Sequence, residues 1–85
     1  MTAHMKKQHL KTAIVGVIAP IIQQLHFYYD KVEYDINTNV EHYSSVVELT
    51  IKAKLTPIEC KAVSNALNLI KTDGAITFRD DNGFH

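Results

Sequence analysis

One thiol is all the cysteine chemistry available to this chain of 85 residues. With Cys60 standing alone, an internal disulfide framework and a four-cysteine zinc site are both excluded. A reducing, cytoplasmic setting is the default expectation. Glycine is equally sparse: Gly16, Gly74 and Gly83 are isolated, so neither a phosphate-cradling loop nor a dinucleotide fingerprint exists. Net charge is missing as well, because nine Lys and Arg balance nine Asp and Glu. No overall field draws the chain to nucleic acid or to an acidic membrane. Arg79 is the sole arginine, which counts further against base recognition. The chain is also short. At this size about 60 to 65% of the unfolded surface is buried on folding, enough for one thin core but not for a scaffold with a roomy enclosed pocket. A single domain over residues 1–85 is expected, and a self-contained enzyme is not.

Charged residues are absent from Thr12 through Tyr29. After Lys6, Lys7 and Lys11, the aliphatic run from Ala13 to Ile22 resembles the apolar part of a signal peptide. Val17-Ile18-Ala19 suits a cleavage site, but Pro20 would follow the cut. Gln23, Gln24 and His26 interrupt a segment already near the minimum for a membrane span. A buried element is therefore expected. Leu10, Ile14, Val17, Ile18, Ile21, Leu25 and Tyr28 recur at spacings of three and four, which predicts a helix from about Ala3 to Tyr29. Pro20 removes one backbone donor and bends or splits that helix near Gly16. The competing reading makes residues 12–18 a strand rich in β-branched side chains, with Pro20 opening a shorter helix.

Val32, Tyr34, Ile36 and Val40 alternate with Glu33, Asp35 and Asn37, the period of a half-buried strand. Val47, Leu49, Ile51, Ala53 and Leu55 do the same against Glu48, Thr50, Lys52 and Lys54. Joined through His42 to Ser45, the two predict an antiparallel hairpin. Charge suggests its register: Asp35 opposite Lys52, Glu33 opposite Lys54, Ile36 opposite Ile51 and Val40 opposite Val47, with a tight turn at Tyr43-Ser44. Thr56-Pro57-Ile58-Glu59 is the sharpest local signal. Thr56 caps, Pro57 suits the first helical position, and Glu59 reaches back to the cap amide. The helix is expected to run to about Lys71 with Val63, Ala66, Leu67 and Ile70 buried and Ile58 and Ala62 at the margin, closed by Asp73-Gly74. Ala75 to Arg79 reads as a short strand with Ile76 and Phe78 inward. Asp80-Asp81-Asn82-Gly83 is strong turn chemistry, yet Phe84 and His85 are too few for a returning strand.

These elements predict an α+β domain of order helix, strand, strand, helix, strand. Its antiparallel three-stranded sheet has order 2-1-3 and is covered on one face by both helices. Were residues 12–18 a strand, the order would become a ferredoxin-like βαββαβ pattern, a topological resemblance that carries no function.

Candidate chemistry is thin. His4, His9, His26, His42 and His85 form no His-x-x-x-His or His-Glu-x-x-His arrangement. They read as scattered surface residues, and neither a metal nor another cofactor is expected. Cys60 sits in the first turn of the second helix, where the dipole lowers a thiol pKa. No His or Asp is placed near it by sequence, and a half-buried structural thiol is the expected role. Asp80, Asp81 and Asn82 lack the spacing of a calcium loop.

Charge does segregate along the chain. The segment 30–48 holds Asp30, Glu33, Asp35, Glu41 and Glu48 against Lys31 alone, whereas residues 1–29 hold lysines and no acid. The expected function is a small non-enzymatic protein-interaction module that binds and adapts or inhibits a larger protein or nucleoprotein, in the manner of a mobile-element accessory inhibitor. A homodimer through a sheet edge or helix face is one form it would take. Tyr28, Tyr29 and Tyr43 are its candidate anchors, with Asp30, Glu33, Asp35 and Glu41 meeting a basic partner. The first alternative is nucleic-acid binding through Lys6, Lys7, Lys11, Lys52 and Lys54, with tyrosines stacking on bases. The second is a regulatory ligand-binding domain with ligand at a dimer boundary.

Overall fold

A computed structural model describes residues 3–38, 46–70 and 75–85. Its elements are α1 (Ala3–Leu25), β1 (Tyr34–Asn37), β2 (Val46–Ile51), α2 (Pro57–Leu67), β3 (Ala75–Asp80) and β4 (Gly83–Phe84). Residues 12–18 are helical, so the ferredoxin-like alternative falls. Pro20 lies inside α1 on the exposed side, where the carbonyl it leaves unpartnered can meet water. Among the described residues, no helix is long and apolar enough to cross a membrane.

The buried stripe of α1 is Leu10, Ile14, Ile18, Ile22 and Leu25, with Val17 and Ile21 packed at its margin. Tyr28, expected on that stripe, is instead 81% exposed. The helix ends earlier than expected, and its last turn tightens as Phe27 N–H bonds to Gln24 O and Tyr28 N–H to Leu25 O, both at 3.0 Å. That rotation carries Tyr28 outward and lets Tyr29 pack against the core.

The sheet is four-stranded and mixed, in the order β1-β2-β3-β4. β2 pairs antiparallel with β1 and parallel with β3, and β3 pairs antiparallel with β4. The expected order 2-1-3 with three antiparallel strands is therefore corrected. Burial explains why. β2 brings Val47, Leu49 and Ile51, all fully buried, so it belongs in the middle. Within β1 only Ile36 is buried, which suits an edge. The connection from β2 through α2 to β3 is the parallel crossover unit.

The expected hairpin register is shifted by two residues. Tyr34 lies opposite Ile51, Asp35 opposite Thr50, Ile36 opposite Leu49 and Asn37 opposite Glu48. A two-residue slip keeps every side chain on its predicted face, so the alternation could not detect it. The charge pairs that favoured the other register contribute only about 0.2 to 1 kcal/mol each. Glu33 finds a nearer partner in Lys31, at 3.0 Å, and its backbone carbonyl accepts from Lys52 N–H at 2.8 Å. Val40 and the Tyr43-Ser44 turn lie outside the described residues.

α2 begins as its sequence dictates. Thr56 Oγ1 accepts from Glu59 N–H at 3.2 Å, and Glu59 Oε1 accepts from Thr56 N–H at 2.8 Å, the reciprocal cap. Cys60, Val63 and Leu67 form its buried face, and Ile70 packs on the core from the turn that follows. Ile58 is exposed rather than marginal. The helix stops at Leu67, short of Lys71, and the Asp73-Gly74 closure is outside the described residues. In β3, Phe78 is buried and Ile76 packs on the core, as the alternation predicts.

The end of the chain departs most from expectation. Two residues do suffice for a returning strand, since Arg79 pairs with Phe84 and Asp80 with Gly83 around a turn at Asp81-Asn82. Gly83 takes φ 126°, a conformation that side-chain-bearing residues rarely adopt. His85 N–H bonds to Phe78 O at 2.9 Å, and the Arg79 guanidinium sits 4.8 Å from the Phe84 ring centroid.

Candidate functional site

By alternation, Ile76, Phe78 and Asp80 share the inner face of β3, and this directs a carboxylate into the protein. Asp80 is 3% exposed. It survives there because donors surround it. Oδ2 accepts from Leu55 N–H at 2.9 Å and from Asn82 Nδ2 at 3.0 Å, while Oδ1 accepts from Asn82 N–H at 3.0 Å. His85 Nε2 stands 2.8 Å from Oδ1, and Cys60 Sγ stands 3.7 Å from Oδ2. Burial pushes this carboxyl up, but the bonds from His85, Leu55 and Asn82 prevail and hold it down at about 2. Two more bonds tie the same turn to the segment between β2 and α2: Asp81 N–H to Ala53 O at 3.0 Å and Asn82 Nδ2 to Leu55 O at 3.2 Å. Asp80 thus joins β3, the β3–β4 turn and the entry to α2.

Cys60 Sγ and His85 Nε2 are 3.5 Å apart, completing a cluster whose three donor atoms lie within 4.8 Å of one another. The His85 ring is held in place by Phe78, with centroids 5.1 Å apart and planes 28° from parallel. Cysteine, histidine and aspartate invite comparison with a nucleophilic relay. Such a relay needs the carboxylate on one ring nitrogen and the nucleophile on the other. Here Cys60 and Asp80 both face Nε2. Burial and the neighbouring Asp80 carboxylate also push the Cys60 thiol pKa up. The lowering expected from the helix dipole is overridden, because a thiolate here would be poorly solvated and next to a negative charge.

A second polar group lies one residue before Cys60. The Tyr29 hydroxyl is 2.7 Å from Glu59 Oε1 and 3.1 Å from Lys54 O. Its one proton goes to the carboxylate, the shorter and charge-assisted bond. That bond raises the Tyr29 pKa. Burial pushes Glu59 up, but bonds from Thr56 and Tyr29 outweigh it and leave the carboxyl lowered.

Of the expected anchors, Tyr29 is therefore a packing residue with its polar end used internally, whereas Tyr28 is free on the surface. Phe27, the residue before it, is 84% exposed. Asp30, Glu33 and Asp35 are exposed close by in sequence. Glu41 and Tyr43 lie outside the described residues. Lys11, Lys52 and Lys54 are exposed, and Lys52 is near enough to Glu33 to help lower that carboxyl, after the larger effect of Lys31. Nothing is described of the Lys6 and Lys7 side chains. Between α1 and the edge strand β1 a shallow groove runs past Ala19, Pro20, Ile22, Gln23, His26 and Tyr34. His85 is not the free surface histidine its isolation in sequence suggested. The signal that could have found it is the inward phase of Asp80 on its strand, since a buried acid demands donors.

No protein-family model matches the chain, and no curated protein or solved structure shows significant similarity to it.

Proposed function

We propose that the chain is a non-enzymatic protein-interaction module that binds a basic surface on a larger protein, adapting or inhibiting it. The carrying observation is that Phe27 and Tyr28, consecutive at the end of α1, are 84% and 81% exposed. Scattered exposed apolar residues are ordinary. An exposed aromatic pair directly following His26, a residue of the α1 groove, is the composition of an interface centre. Exposed Asp30 and Asp35, beside Glu33 in its pair with Lys31, supply the sign of charge that a basic partner complements. The arrangement around Cys60 supports the non-enzymatic reading, because its thiol faces the wrong side of the relay.

The test is capture from lysate of the source organism with the wild type and with a Phe27→Ala/Tyr28→Ala double variant, followed by affinity measurement on the purified partner. Losing one central anchor typically costs about 2 kcal/mol or more, which is about 30-fold in Kd. The proposal expects a basic protein whose binding weakens at least that much in the double variant. Retention of unchanged affinity, or recovery of nucleic acid alone, would overturn it.

A further inference from the structure

We propose that Cys60 Sγ, the Asp80 carboxylate and His85 Nε2 together bind one divalent metal ion of the zinc class. Cys60 on α2 stands 20 residues before Asp80 on β3, and His85 follows Asp80 by 5 across the β3–β4 turn, and the three ligand atoms all lie within 4.8 Å of one another. They are a thiol, an imidazole and a carboxylate, the three side-chain types that hold zinc. Spacing decides between coincidence and a site. Ligands about 2.3 Å (sulfur) and 2.0 Å (nitrogen or oxygen) from a tetrahedral ion stand about 3.5 Å apart. Sγ is 3.5 Å from Nε2, so the sulfur–nitrogen edge of the tetrahedron already exists, and it stands 3.7 Å from Oδ2 of the carboxylate. Nε2 approaches the other carboxylate oxygen, Oδ1, at 2.8 Å, shorter than two ligands of one ion allow. That approach is a hydrogen bond in which the ring proton occupies the space that the ion would take.

Metal entry is balanced without a further reactant. The thiol gives up its proton to solvent and sulfur binds as thiolate. His85 offers its Nε2 lone pair, its remaining proton moving to Nδ1. Asp80 is already ionised. The shared placement of Asp80 and Cys60 on one ring nitrogen, wrong for a nucleophilic relay, is what coordination by that nitrogen needs. Outer partners are in place too: Leu55 N–H and Asn82 fix the carboxylate, and Phe78 fixes the ring, the kind of support that orients ligands. The three protein donors leave one tetrahedral position for water or for a donor from another molecule.

The test is titration of the full chain, apo and reduced, with Co²⁺ alone, read by absorption, and then with Zn²⁺. One equivalent of Co²⁺ is expected to give a thiolate-to-cobalt charge-transfer band and the visible bands of a tetrahedral ion, both bleached by Zn²⁺. Cys60→Ser abolishes the charge-transfer band. His85→Ala and His85→Gln, which change a partly exposed side chain and leave Asp80 intact, weaken binding by about tenfold or more, with circular dichroism confirming that both fold. Absence of the thiolate band at one equivalent overturns the proposal. So does a band whose affinity is unchanged in both folded His85 variants, since the metal would then be held elsewhere.

Discussion

Replacing Asp80 is the most informative single perturbation of this molecule. In Asp80→Ala the buried Leu55 N–H loses its acceptor, and His85 and Asn82 lose theirs. An orphaned buried donor costs about 1 to 3 kcal/mol, and a hydrogen bond to a charged group about 1.5 to 3. The Asn82 and His85 groups are near enough to solvent to recover water, so the expected total is about 3 kcal/mol. Domains of this length have about 4 to 13 kcal/mol in all, so the loss is a large share. It corresponds to about 12 to 24 °C in Tm. Asp80→Asn keeps an acceptor of the same shape and loses the charge, and is expected to fall between the two. Urea unfolding followed by circular dichroism measures this, with an unchanged slope marking a true change in stability. A loss below about 1 kcal/mol in Asp80→Ala would show that the buried carboxylate does not join the three segments energetically. The same residue sets a pH dependence. Its folded pKa, about 2, is depressed from an unfolded value of about 3.9. Its contribution is therefore complete above about pH 5 and is lost as pH falls through about 2, a difference of about 2 to 3 kcal/mol. Wild type minus Asp80→Asn isolates this contribution from the other carboxylates. A flat difference over that window refutes the assignment.

Other outcomes follow from the same geometry. Thr56→Ala removes half of the reciprocal cap and is expected to cost about 1 kcal/mol in urea unfolding. Tyr29→Phe is expected to cost about 1 kcal/mol, and a double-mutant cycle is expected to show a smaller loss in a Glu59→Ala background, where Lys54 O remains as the weaker acceptor. Phe27→Ala and Tyr28→Ala, so exposed in the free protein, change stability by less than about 0.5 kcal/mol, which separates any binding loss from misfolding. Cys60 is expected to react with iodoacetamide more slowly than a free thiol at the same pH and faster in Asp80→Asn, because burial and the carboxylate both disfavour the thiolate; equal rates in the two proteins count against that account.

What could be read from the chain was what short-range physics dictates. The Thr56–Glu59 cap needs only four consecutive residues, and the alternation at Val47, Leu49 and Ile51 needs only a pleat. The stripe on α1 was visible up to Leu25, where the tightened last turn exchanged the places of Tyr28 and Tyr29. Sheet order depends on a comparison between strands: β2 takes the middle because its inner face is wholly aliphatic, a preference that the weak cross-strand charges obscured. The cluster at Asp80 was the least legible, since Asn82 and His85 are near it in sequence but Leu55 and Cys60 stand 25 and 20 residues before it, and no local spacing reaches them. Its one sequence trace, an acid in phase with Ile76 and Phe78, looked like the start of a turn.

The parallel seam between β2 and β3 bears on the order of folding events. The β1–β2 ladder joins neighbouring stretches of chain, but partners such as Leu49 and Phe78 meet only after the intervening chain has closed on itself. That closure costs entropy before any contact repays it. A preformed α2 shortens the search, so its cap influences how fast the molecule assembles as well as how long it persists.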